Sequence, residues 1–228
     1  MCGRYSLVGE TLDKRALDEI RDFIGTEPQF DNEFNISPSQ KAPVIRLVDG
    51  QPVLEKLTWN FRPEWLKNKN DARHNARGET VFVSRMFKGS AAKRRCLVPA
   101  TGWYEWQKVT GGKQPHNFRI ADHPLIMFAG IWTRWGDGDQ VDDSFAIITT
   151  DANPVSAPID KRMPAILTGV ARRVWLMDPV SEPSDVDHLQ DLLQPYAGEG
   201  LEPYPVSPYV SNPRNKGPQC LEPDARLL

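Results

Sequence analysis

The segment VIRLVDGQPVLEKLTW, residues 44–59, decides the fold. Two apolar runs, 44–48 and 53–59, flank Asp49-Gly50. Such a pair supplies the two positive-φ positions that a two-residue hairpin turn demands, so a β-hairpin is expected here. Outward from it, further strands are expected at 103–108, 117–120, 125–133 and 144–150, separated by turns rich in Gly, Asp and Pro. Residues 11–24 carry Leu12, Ala16, Ile20, Phe23 and Ile24 at helical spacing, with Gly25 as a stop. A second helix is expected at 184–194, with Ser184 as its cap, Asp187 three residues on and Pro195 beyond its end. Strands dominate and helices flank them. The expected class is α+β, a curved or barrel-like antiparallel sheet with peripheral α-helices in one domain spanning 1–228. Prolines crowd the chain after 195, but Tyr204, Val206, Tyr209, Val210 and Leu221 are interleaved with them. That mixture predicts an irregular C-terminal wrap packed on the core.

Composition bounds the partners. The 28 basic and 30 acidic residues leave a net charge of -2, so a nucleic acid or a membrane surface would have to be met by a local patch. The 39% hydrophobic residues, with 16 glycines, are enough for a packed core without disulfides. Three cysteines, at 2, 96 and 220, are odd in number and form no CxxC, which argues against a disulfide framework and against a zinc site. No cofactor or metal is expected. With no secretory pattern and no apolar run long enough for a bilayer, a cytoplasmic location is expected.

Four features bear on chemistry. Cys2 directly follows Met1, and removal of the methionine is expected to leave a thiol and a primary α-amine on adjacent carbons. A 1,2-aminothiol suits an aldehyde: the amine condenses to an imine and the sulfur closes a thiazolidine. With ordinary pKa values of about 8 for the amine and about 8.5 for the thiol, both groups are expected to be partly deprotonated at neutral pH. The ordinary alternative is a small residue that merely permits trimming. Residues 73–95 hold Arg73, Arg77, Arg85, Lys88, Lys93, Arg94 and Arg95 against Glu79 alone, a local positive patch or a solvated basic face. Extended geometry over 75–79 would place Asn75, Arg77 and Glu79 on one side, an amide and a guanidinium suited to a sugar and its phosphate. Glu105 sits among Trp103, Tyr104 and Trp106. Aromatic surroundings would raise its pKa and fit it for proton transfer, unless it points to water. Trp65 and Leu66, beside Pro63, could form an exposed wedge for base stacking or could be core residues.

These pieces fall in a recognisable order: MCGRY at the N-terminus, NISP at 35–38, W-x-x-x-P-x-W at 59–65, NAR-x-E-T at 75–80, SRMF at 84–87, RRCLVPA-x-GWYEW at 94–106 and RMP at 162–164. Together they resemble the SRAP (SOS response-associated peptidase) family of abasic-site processing proteins, over nearly the whole chain. The resemblance implies a monomer that binds single-stranded DNA containing an abasic site and captures its aldehyde as a thiazolidine crosslink. It makes Cys2 the nucleophile, has Asn75 orient the sugar and gives Glu105 the protons. Arg4, Arg77 and Arg85 would hold phosphates, and Trp65 and Leu66 would sit at a kink in the strand. Ser37, Pro38, Trp106 and Arg162 fall at further DNA-binding positions. One position departs from the family: IDKRMP places Asp160 where the family carries a catalytic His. Crosslinking is expected to survive with altered rate or reversal, because a carboxyl can shuttle protons but cannot become an imidazolium. A self-processing cysteine peptidase and a non-covalent single-strand binder are the alternatives.

Overall fold

The computed structural model describes residues 2–136 and 141–226; Met1, whose removal is expected, lies outside them. In chain order the described residues form β1 (Tyr5–Val8), α1 (Lys14–Ile24), β2 (Asn32–Ile36), β3 (Lys41–Val48), β4 (Gln51–Trp59), β5 (Asn75–Arg77), α2 (Lys88–Lys93), β6 (Arg95–Ala100) and β7 (Gly102–Val109). There follow β8 (Gly112–Ile120), β9 (Ile126–Trp135), β10 (Asp142–Asp151), β11 (Arg162–Pro164), β12 (Ile166–Leu167), α3 (Val170–Met177), α4 (Pro183–Asp191) and β13 (Leu201–Pro205).

The expected hairpin is present. Asp49 and Gly50 have φ of 49° and 77°, and β3 pairs with β4 through eight residues on each side, from Lys41 opposite Thr58 to Val48 opposite Gln51. This hairpin forms one wall of a closed five-stranded barrel ordered β10-β4-β3-β6-β9, with β9 pairing back onto β10. Four seams are antiparallel; the β4–β10 seam is parallel and short. Where β4 leaves, β5 takes its place, so Asn75 lies opposite Ile147 on β10. A second, antiparallel sheet runs β13-β8-β7-β1-β2. It packs on the barrel through aromatic edges: Tyr5 meets Trp59 at 5.1 Å and Trp103 meets Phe128 at 6.0 Å. Trp59, Trp103, Tyr5 and Phe128 are all fully buried, and burial of such rings contributes about 1.5–3 kcal/mol or more each.

Both expected helices are shorter than their sequence patterns. Residues 9–11 form a 3₁₀ turn, and α1 starts after Asp13, whose carboxylate accepts from the Ala16 N–H at 2.8 Å; Gly25 ends it at φ 75°. The cap of α4 is Glu182, not Ser184, and its reciprocal partner is Asp185 rather than Asp187. Pro183 explains the shift, since its fixed φ and missing N–H suit the first helical position. The C-terminal segment wraps as expected, with Val206, Val210 and Cys220 buried against Val8, Phe34 and Tyr104.

Candidate active site

Cys2 enters just before β1 and is fully buried. Its carbonyl accepts a 2.7 Å hydrogen bond from Asn75 Nδ2. The Asn75 side chain is aimed there by β5: Ala76 turns into the core, which places Asn75 and Arg77 on the opposite side of the strand. The other amide atom, Asn75 Oδ1, is buried without a hydrogen-bond partner among the described residues. An unmade hydrogen bond at a buried acceptor costs about 1–3 kcal/mol, and a site that tolerates one is suited to receive a donor from outside.

The expected alignment of Glu79 with Asn75 and Arg77 fails. The extended run stops at Arg77, and residues 78–80 turn as a 3₁₀ helix. Glu79 instead grips the Arg162 guanidinium with both oxygens, at 2.6 and 2.9 Å, while Asp151 adds a 2.7 Å contact. Arg162 also donates to Thr149 O at 2.6 Å. It braces β11 against this turn, and a phosphate would have to compete with two carboxylates for it.

Glu105 hangs from β7 on the side that faces the barrel. One rung away on the same side, Trp103 stacks on Phe118 of β8 at 4.9 Å. On its own rung Glu105 lies opposite His116, and on the next Gln107 lies opposite Gln114. Gln107 Nε2 donates to Pro158 O at 3.3 Å, which holds the loop between β10 and β11 over this end of the sheet. In that loop Asp160 accepts from the Arg162 N–H at 2.9 Å. The Glu105 pKa is pushed up to about 8, first by burial and further by the Asp160 charge. At neutral pH Glu105 is therefore largely protonated, the direction of shift that its aromatic surroundings led one to expect. Burial, reinforced by the Glu105 charge, also raises the Cys2 thiol well above its ordinary value. This corrects the expectation of a partly ionised thiol: the sulfur is held as S–H.

The residues expected to meet DNA differ in how free they are. Arg77 and Arg85 are exposed, and Arg85 lies 5.8 Å from the ring of Trp65, itself 53% exposed. Leu66 is buried, so the wedge is Trp65 alone. Ser37 is buried and its N–H and hydroxyl both reach Gln40 Oε1, while Pro38 is half-buried beside it. Arg4 donates to Asn35 Oδ1 at 2.8 Å and to Val210 O at 2.9 Å, and its guanidinium lies 5.5 Å from the Trp106 ring. Trp106 in turn donates to Ser211 Oγ at 3.0 Å. These side chains, with Gly3 and Lys113, line a cavity of about 490 Å³ immediately beside Cys2. Sequence reasoning missed Asn35, fully buried, whose amide spans the carbonyls of Val210, Asn212 and Asn215 and so ties the C-terminal wrap to Arg4. It also missed His116, whose place beside Glu105 follows only from strand register.

Among the described residues no helix is long and apolar enough to cross a membrane, and no group of three or more His, Cys, Asp or Glu side chains is arranged to hold a metal ion.

The chain is similar to known proteins over nearly its whole length. A family model described as SOS response associated peptidase (SRAP) matches residues 1–213. The abasic site processing protein YoqW of Bacillus subtilis is 33% identical over 97% of this chain and 99% of its own length. The abasic site processing protein YedK of Escherichia coli is 30% identical over 98% and 100%. A crystal structure of a protein from Bacteroides thetaiotaomicron superposes with a TM-score of 0.78 at 26% identity, covering 98% of this chain and 100% of that one.

Proposed function

Because this chain belongs to the SRAP family, we propose that it processes abasic sites in single-stranded DNA by capturing the ring-opened sugar on Cys2. The observation that carries the proposal is the convergence at Cys2: its carbonyl is held by Asn75, and the carboxyls of Glu105 and Asp160 lie near enough to raise the pKa of its thiol. An aldehyde, a 1,2-aminothiol and a protonated carboxyl at one point are what thiazolidine formation needs.

Once Met1 is removed, the Cys2 amine adds to the aldehyde carbon to give a carbinolamine. Glu105 gives its proton to the departing hydroxyl, which leaves as water, and an iminium remains. The Cys2 thiol loses its proton to the Glu105 carboxylate as its sulfur bonds to the iminium carbon. Glu105 ends as it began, and the product is a neutral thiazolidine. The raised thiol pKa orders these steps, because a neutral S–H is a poor first nucleophile while the amine is competent. The orphaned Asn75 Oδ1 would accept from a sugar hydroxyl. Arg77, Arg85 and Trp65 would meet the strand, their exposure leaving them available for phosphates and a base face. Arg4 and Trp106 are held by the C-terminal wrap and would form the wall.

The test is incubation with an oligonucleotide carrying one abasic site, read on a denaturing gel, with intact mass reporting the first residue. A denaturation-resistant species with the native chain that is absent for Cys2→Ala supports the proposal. Retained binding without that species in either chain would make the protein a non-covalent single-strand binder. Self-cleavage of an N-terminally extended chain, lost in Cys2→Ala, would add the peptidase activity.

A further inference from the structure

Four histidines occur in the chain, and strand register puts His116 on the rung of Glu105. Residues directly opposite in an antiparallel pair have Cβ atoms about 5 Å apart and share a side of the sheet. The neighbouring rung shows that this holds here, since Trp103 and Phe118 lie parallel within 10°. His116 is half-buried, and its Nδ1 lies 3.2 Å from Gln114 O. A carbonyl only accepts, so Nδ1 carries the hydrogen and the basic lone pair is on Nε2. The imidazole is thus fixed in one tautomer beside a carboxyl that the chemistry asks to give and then regain a proton.

Resting on the function proposed above, we infer that His116 is a positioning residue that relays protons to and from Glu105, so that the site contains an imidazole supplied by β8. The relay is a proton transfer alone. Glu105–COOH with neutral His116 and Glu105–COO⁻ with His116 imidazolium hold the same single proton, and the second form keeps it near while Glu105 acts as base. The other titratable or charged groups around the pair are Asp160 on the loop, the N-terminal amine and Cys2 before β1, and the Asp224–Arg226 ion pair of the wrap, reached through Gln114. Tyr204 of β13 lies one residue from Pro205, which pairs with His116. His74 packs edge-on to Trp59 at 6.0 Å and belongs to β4 and β5 surroundings rather than to this rung. Burial lowers the pKa of His116 and raises that of Glu105 above it, so the resting pair keeps its proton on Glu105 with the imidazole neutral.

Two measurements test this. Ring-nitrogen NMR of His116 should show the Nδ1–H tautomer and an inflection near the Glu105 value of about 8, in addition to its own lower one. Glu105→Gln should abolish the upper inflection, and a single inflection unchanged by Glu105→Gln overturns the inference. In the crosslinking assay, His116→Gln should slow the chemical step at least tenfold at saturating strand while leaving strand affinity unchanged. His116→Ala should be rescued by added imidazole, and neither substitution should slow a Glu105→Gln background further. Native-like rates in both variants overturn the inference. If the native chain forms no Cys2-dependent crosslink, the proposed function fails, and the NMR inflection still decides whether His116 and Glu105 share a proton.

Discussion

Replacing Glu105 with Gln should leave stability unchanged below about pH 4.5 and raise it progressively as pH climbs towards 8. The native carboxyl is buried and holds its proton to about 8, whereas the same group in the unfolded chain releases it near 4.5. Between those values the unfolded chain binds fewer protons than the folded one, so stability falls as pH rises. At about 1.4 kcal/mol per pH unit, the full interval corresponds to about 5 kcal/mol lost above pH 8, an upper value because water and side chains rearrange around a buried charge. Glutamine keeps the shape without the ionisation, so its stability should be flat over the same interval. Urea unfolding, followed by the emission of the seven tryptophans, should show native and variant diverging as pH rises from 4.5 to 9. A stability difference that stays constant with pH would refute the account of Glu105 as a carboxyl kept neutral by burial.

Other consequences are independent of that one. Asp160→His should change the rate at which protein is released from a preformed crosslink, measured by chase with excess abasic oligonucleotide, and equal rates for both chains would remove any kinetic role for Asp160. Arg77→Ala should weaken single-strand binding across sequences and reduce the slope of log affinity against log salt by about 0.7, read by fluorescence anisotropy; an unchanged slope would take Arg77 out of the interface. Gly130 lies opposite Cys96 in the barrel, and a Cβ there would sit 2.8 Å from Cys96 Sγ and 3.0 Å from Val98 Cγ2. Gly130→Ala should therefore cost about 1–3 kcal/mol by overpacking, visible as a Tm lowered by several degrees.

Local chemistry in the sequence went as far as local chemistry can. Asp49-Gly50 announced its hairpin because the turn needs two positive-φ positions, and the aromatic neighbours of Glu105 announced its burial because period two turns alternate residues inward. A barrel-like sheet was expected, but the parallel seam that closes it was not legible, since it depends on β10 meeting β4 and β5 across distant segments, through only two and three residue pairs. Strand β5 was too short for periodicity to mark its end, which is why Glu79 was assigned to the wrong side. The motifs quoted for the SRAP resemblance brought Cys2, Asn75 and Glu105 to one point before any coordinates did. His116 lies in no motif, and QPHNF reads as an ordinary strand fragment. It acquires meaning only when register sets it across from Glu105.

The Arg4 guanidinium and the Val210 carbonyl it binds are 206 positions apart in the chain. Asn35 joins the same knot through three carbonyls more than 170 positions downstream. At translation rates of about 5–20 residues per second, the segment bearing Cys2 leaves the ribosome about 10–40 s before the segment that braces its surroundings. During that interval Cys2 has neither its cover nor its wall, and an aminothiol exposed by loss of Met1 would meet aldehydes unguided. The end of the chain proposed to react is thus the first part made and among the last parts to gain its surroundings.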